Sequence, residues 1–268
     1  MPNGLCHLCG SFGPLTFEHV PPSAAFNDHR VLETDIHKLI GSDLLADLKK
    51  PTGKYNQRGS GKFTLCRRCN NDTGGWYGGA YVEFVHGIFP LCQTVQPHQF
   101  VELRCAIKPL NVFKQMLVMF CSASPPSFAQ KHPSLVSYLL NRESVDCDDL
   151  RHLHLFMSLY DVKNSKATRQ AGITGRIELG NPKAHIYSEI SFPPFNLVMS
   201  LSGTNPEDRL FDISWFAQFP FNERREVKLR LHNLAVNSYF PSDYRTFDEL
   251  EATLAGNKRM DQITPPIP

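Results

Sequence analysis

The stretch Cys66-Arg67-Arg68-Cys69-Asn70-Asn71-Asp72-Thr73-Gly74 decides how this chain reads. Two thiols two residues apart, followed at once by polar helix-starting residues, form one half of a metal-knuckle pattern. The other half stands near the N-terminus as Cys6-His7-Leu8-Cys9. Two C-x-x-C pairs match a tetrahedral four-thiolate zinc site, with the intervening residues 10–65 looped out. The remaining cysteines, Cys92, Cys105, Cys121 and Cys147, are scattered singly. A redox C-x-x-C is the competing reading, but it needs a βαβ context that the flanking residues do not offer. With all four positions filled by sulfur, the zinc is structural, and chemistry must come from neighbouring residues.

Outward from the knuckles, residues 10–65 must hold structure of their own. Leu32, Ile36, Leu39, Ile40, Leu44, Leu45 and Leu48 predict a helix over 31–48. From Lys49 to Arg68 the chain carries Lys49, Lys50, Lys54, Arg58, Lys62, Arg67 and Arg68 with no Asp or Glu, in a protein whose formal net charge is +2. Such a run attracts phosphates in a salt-dependent way without reading base sequence. Its alternative is a solvated loop. After Gly74, the glycine-rich Gly74-Gly75-Trp76-Tyr77-Gly78-Gly79-Ala80-Tyr81 is poor intrinsic helix material, and Trp76, Tyr77 and Tyr81 are expected to pack in a core.

Beyond residue 90 the texture changes. Phe113, Met116, Leu117 and Phe120 predict a helix entered after Pro109, and a short helix follows over 134–140. Alternating apolar residues predict half-buried antiparallel strands around Leu153–Leu159, Ile186–Phe192, Ile213–Phe219 and Val227–Leu231. Thr246 and Glu249 fit a capping box opening a last helix. His152 and His154 share a strand face without an evident carboxylate partner, and the acidic run 146–149 reads as an exposed turn. The fold class is therefore α+β, with a metal-held part over 1–90 and an α+β part with an antiparallel sheet over 91–268. The second part names no chemistry and is read as serving regulation, a partner or target choice.

The order of the N-terminal residues carries a resemblance. Cys6/Cys9 precede Thr16-Phe17-Glu18-His19-Val20-Pro21-Pro22, and Cys66/Cys69 run directly into Asn70. C-x-x-C, then Glu-His, then C-x-x-C-Asn resembles the HNH (His-Me finger, ββα-metal) endonucleases, zinc-knuckle type, several bacterial members of which belong to anti-phage defence. The resemblance covers roughly residues 5–80 and implies a treble-clef-like ββα-metal domain. It implies His19 as the general base that deprotonates water, and Glu18 and Asn70 as ligands of a catalytic Mg2+ or Mn2+. A hard cation takes oxygen ligands and keeps most of its waters, so a carboxylate and an amide oxygen suffice. Imidazole titrates near neutrality and suits proton abstraction. The implied reaction is hydrolysis of phosphodiester bonds, with Lys54, Arg58, Lys62, Arg67 and Arg68 contacting nucleic acid, DNA foremost. The alternative is a zinc module that binds nucleic acid or a protein and performs no chemistry. Glu18 and His19 are adjacent, so on a regular strand they point to opposite faces, and a shared site requires the chain to bend near Pro21-Pro22. Asn70 has a second reading as a helix N-cap, and His7 reads as exposed rather than as a ligand.

Composition sets the outer limits. With 41% hydrophobic and 20% charged residues, 19 Phe and no long apolar run, the chain excludes disorder, coiled coil and a membrane-spanning helix. The first residues lack a basic, apolar-cored leader. The expectation is a soluble cytoplasmic protein without membrane partners, its C-terminal part offering a surface to a protein partner or a second copy.

Overall fold

A computed structural model describes residues 1–34, 52–178, 181–253 and 255. It is mixed α and β with largely antiparallel sheets. Three strands, β1 (Asn3–Leu5), β2 (Phe12–His19) and β5 (Gly61–Cys66), form an antiparallel sheet in the order β1-β2-β5. Between β2 and β5 lies a two-stranded ribbon, β3 (Val31–Glu33) with β4 (Lys54–Asn56). Residues 31–33, expected to open a helix, are therefore a strand. Their apolar pair suits a short ribbon equally well, and a three-residue window cannot separate the two periods. The rest of that expected helix, from residue 35 on, lies outside the described residues.

Helix α1 (Arg67–Thr73) leaves β5 without a linker and continues through one π-helical turn, 74–78, into α2 (Gly79–Cys92). The glycines do not act as spacers throughout, since a Cβ at Gly75 or Gly79 would meet no heavy atom within 4 Å. Tyr77 and Tyr81 are buried, as expected of core aromatics.

The second sheet has seven strands: β6 (Phe100–Ile107), β7 (His154–Tyr160), β8 (Arg169–Glu178), β9 (Asn181–Phe192), β10 (Phe195–Ser200), the short β11 (Phe211–Asp212) and β12 (Arg225–Leu234). Its main path is β6-β12-β7-β10-β9-β8, with β11 also on β7. All pairs are antiparallel except β12 with β7. The alternation expected for β12 holds, with Val227, Leu229 and Leu231 buried. β10 is buried along its whole length and β7 everywhere but its first residue, so these central strands are covered on both faces rather than half buried. Residues 214–218, expected as a strand, form a 3-10 helix. Aromatic packing of Trp215 on Phe216 and Phe219 replaces a strand face there.

Helix α3 (Pro109–Ala123) is the centre of the molecule: every residue from Pro109 to Ser122 is buried. Proline at its first turn donates no hydrogen bond where none is needed. α3 packs against the π-turn, α2, β5, α4 (Pro126–Lys131) and the 3-10 helix. One hydrophobic cluster consequently runs from Cys6 to Leu231, through both sequence parts. The capping box is formed, Thr246 and Glu249 exchanging main-chain and side-chain hydrogen bonds ahead of the helical residues 247–253. No described helix is long and apolar enough to cross a membrane.

A helix buried on all sides must satisfy its polar residues internally. Lys114 Nζ donates to the carbonyls of Tyr138, Asn141 and Arg142 at 2.9, 2.8 and 3.2 Å, closing the C-terminal end of α5 (Pro133–Leu140). Burial pulls its pKa down to about 8. Lys114→Met strips the donor from three carbonyls, and urea unfolding should show a loss of about 2–4 kcal/mol. The unfolded chain binds the Lys114 proton more tightly than the folded one. The stability that Lys114 contributes should therefore rise from pH 8 toward pH 10.5 in the wild type, and K114M should lack that rise.

Candidate metal centre and adjoining oxygen cluster

The two C-x-x-C pairs meet. Ligand atoms of Cys6, Cys9, Cys66 and Cys69 all lie within 4.8 Å of one another, and Cys9 and Cys66 sulfurs are 3.9 Å apart. A tetrahedral zinc with Zn–S bonds of about 2.3 Å separates its sulfurs by about 3.8 Å, so the cluster has the geometry of a four-cysteine metal site. All eight cysteines are free thiols. Backbone amides support the sulfurs: Cys66 N–H donates to Cys6 Sγ and Cys69 N–H to Cys66 Sγ, the latter also capping α1. A hydrogen bond from the Cys69 thiol pulls the Cys6 pKa down to about 4, while that of Cys69 rises against it. Thiols this close cannot all ionise without a cation among them.

The cluster is anchored to the core. His7 is half-buried, not fully exposed, and its Nδ1 meets the Ser122 carbonyl of α3 at 3.0 Å. Beside it, register slips between Thr16 and Phe17, leaving Thr64 as the extra residue on β5. The Thr64 carbonyl accepts from His7 N–H and its hydroxyl meets Ser122 Oγ at 2.6 Å.

Asn70 lies inside α1, so it is not the N-cap, a place taken by Cys66. Thr16 has one hydroxyl hydrogen, which it donates to the Leu65 carbonyl at 2.8 Å. Its oxygen must then accept from Asn70 Nδ2, at 2.9 Å. This fixes the amide orientation and leaves Asn70 Oδ1 without a hydrogen-bond donor among the described residues. Glu18 stands two residues along β2 from Thr16, about 7 Å away by strand rise and beyond the register slip. It is 9% exposed, and no hydrogen bond or ion pair reaches its carboxylate among the described residues. Burial alone pushes its pKa up to about 7. A carboxylate and an amide oxygen near this part of β2 thus lack a hydrogen-bond donor among the described residues.

His19 lies on the face opposite Glu18. Its ring meets Phe17 edge-on at 4.9 Å, as i, i+2 neighbours do on a strand, and β2 stays regular through both Glu18 and His19. The ring is nevertheless oriented: Nε2 is 2.8 Å from the Arg58 carbonyl. A carbonyl only accepts, so Nε2 carries the hydrogen and neutral His19 holds its lone pair on Nδ1.

That carbonyl is presented by a stiff loop. Asn56 Oδ1 accepts from Arg58 N–H at 3.2 Å. Gly59 adopts φ +88°, and a Cβ there would fall 2.0 Å from the Asn27 carbonyl. Fully buried Asn27 donates to the Pro21 and Ser60 carbonyls and accepts from Ser60 N–H. Gln170 on β8 joins the same cluster, donating to the Val20 carbonyl and to Ser60 Oγ. Sequence reading passed over Asn27 and Gln170; an Asn flanked by phenylalanine and aspartate gives no sign of its burial.

Among the basic residues, Lys54, Arg58, Lys62, Arg67 and Arg68 are all exposed. Arg68 has Asp72 at 3.6 Å. The other four have no ion pair among the described residues. His154, by contrast, does have a carboxylate partner, Asp212 at 3.2 Å, and Asp149 caps α5 through Ser134 and Leu135 N–H. Both are explained structurally.

Comparison with known family models, characterised proteins and solved structures yields no match to this chain.

One zinc per chain is the expected content by metal analysis. Cys69→Ser should reduce it to near zero and lower the melting temperature by about 10 °C or more, because binding energy at such a site is folding energy.

Proposed function

We propose that the chain is a metal-dependent phosphodiesterase of HNH type, cutting nucleic acid at the junction of β2, β5 and α1. The observation that carries this reading is the pair of unsatisfied oxygens, the buried carboxylate of Glu18 and Oδ1 of Asn70, beside a thiol cluster fit for zinc. Burying a carboxylate without a partner is costly, and proteins keep such groups where a ligand completes them. Resemblance of the ordered motif to the HNH nucleases supports the same assignment.

In this reading Glu18 and Asn70 would hold a divalent ion such as Mg2+, which supplies charge stabilisation at the phosphate and the leaving oxygen. His19 is the proton acceptor through Nδ1, its ring kept in the required tautomer by the Arg58 carbonyl, and to reach water on the Glu18 side it requires β2 to turn between the two residues on binding. Arg58, Lys62 and Arg67 draw in the phosphate backbone. A nicking assay on supercoiled plasmid with Mg2+ tests the assignment. His19→Ala and Glu18→Gln should each reduce cutting by about 10²- to 10⁴-fold while zinc content stays at wild-type level. Equal cutting by wild type and His19→Ala overturns the role of His19.

A second reading has one specific observation behind it. β2 pairs β5 in regular register from Phe17 to His19, so Glu18 and His19 project from opposite faces. A module that binds nucleic acid without cutting it would tolerate that separation. It predicts binding that survives His19→Ala and no Mg2+-dependent cleavage by either protein.

A further inference from the structure

The segment 54–63 mixes cations with rings: Lys54, Tyr55, Arg58, Lys62, Phe63. Tyr55 is 52% exposed and Phe63 44% exposed, two large rings facing solvent within ten residues. The Arg30 guanidinium sits 3.5 Å over the Tyr55 ring, extending that platform with a charge. Phe63 meets Phe17 edge-on at 5.4 Å and Phe17 meets His19 at 4.9 Å, so a row of rings leads from the surface to His19. Lys54, Arg58 and Lys62 are exposed and carry no ion pair among the described residues. The segment is held in shape by the Asn56, Gly59 and Asn27 contacts described above, so ordering it on binding costs little.

We propose that this surface receives an unpaired nucleic-acid strand, the rings stacking on exposed bases and Lys54 and Arg58 following its phosphates toward His19, while Lys62, paired in register with Glu18, lies on the other face of β5. The reasoning is one of complementarity. A duplex offers cations its phosphates but hides its base faces, so exposed rings gain nothing from it, whereas a single strand offers both charge and faces. The inference rests on the nucleic-acid reading above and narrows its substrate to single-stranded or locally melted regions.

The test is fluorescence anisotropy of the full chain with short unstructured DNA and RNA oligonucleotides and with the corresponding duplex, in Ca2+ so that binding is read apart from cutting. The single strand should bind about ten-fold or more tightly than the duplex. Tyr55→Ala and Phe63→Ala should each weaken single-strand binding by about ten-fold, leaving duplex affinity, zinc content and melting temperature unchanged. The single-strand salt dependence should correspond to about two phosphates, a log–log slope near −1.4. Equal affinity for single strand and duplex, or ring variants that bind like wild type, overturns the proposal. So does a lack of nucleic-acid binding, which would point to an acidic protein surface as occupant. Single-strand binding that depends on the rings, in a protein that never cleaves, would refute the nuclease reading and leave this one standing.

Discussion

The four-thiol tie is the constraint on which the rest of this structure depends. Cys6 and Cys9 are separated from Cys66 and Cys69 by residues 10–65, and closing a loop of that length costs several kcal/mol of chain entropy. A metal bound by four sulfurs offsets that cost many times over. Once closed, the tie sets the register of β2 against β5 and aims α1 back along the sheet, so that Asn70 meets Thr16. The placement of Asn70 beside β2 is thus a geometric result of the sulfur cluster. Asn70 would not find Thr16 from local structure alone.

The tie is also docked on the core. His7 and Thr64 both reach Ser122 on the central helix α3. The metal-held part is therefore continuous with the rest, and its hydrophobic residues belong to the same cluster as the large sheet. Gln170 on β8 makes the reverse contact, touching the loop that holds His19 in orientation. The sheet that names no chemistry in its sequence still braces the candidate site.

What was legible in the sequence, and what was not, follows from how each feature is encoded. Thiol pairs at fixed spacing declare themselves because few side chains bind soft metals. Helix α3, β12 and the capping box declare themselves through periodicity. The orienting partner of His19 is a backbone carbonyl, which every residue possesses, so no residue type marks Arg58 for the task. Asn27 gives no signal because its importance comes from complete burial. Residues 213–219 misled because alternating aromatics also suit a 3-10 turn packed on α3. Nothing in the residue type of Lys114 marks its burial, and only the fold shows three carbonyls waiting for it.

The position of β12 bears on how the protein emerges during synthesis. Strand β6, residues 100–107, has β12 as its neighbour in the sheet, and β12 is also the link from β6 to β7. More than a hundred residues therefore leave the ribosome before β6 has an edge to pair with. The four thiols are all present by residue 69 and can come together first. A newly made chain would pass through a stage in which the N-terminal part is assembled while one face of α3 still lacks the strands that bury it.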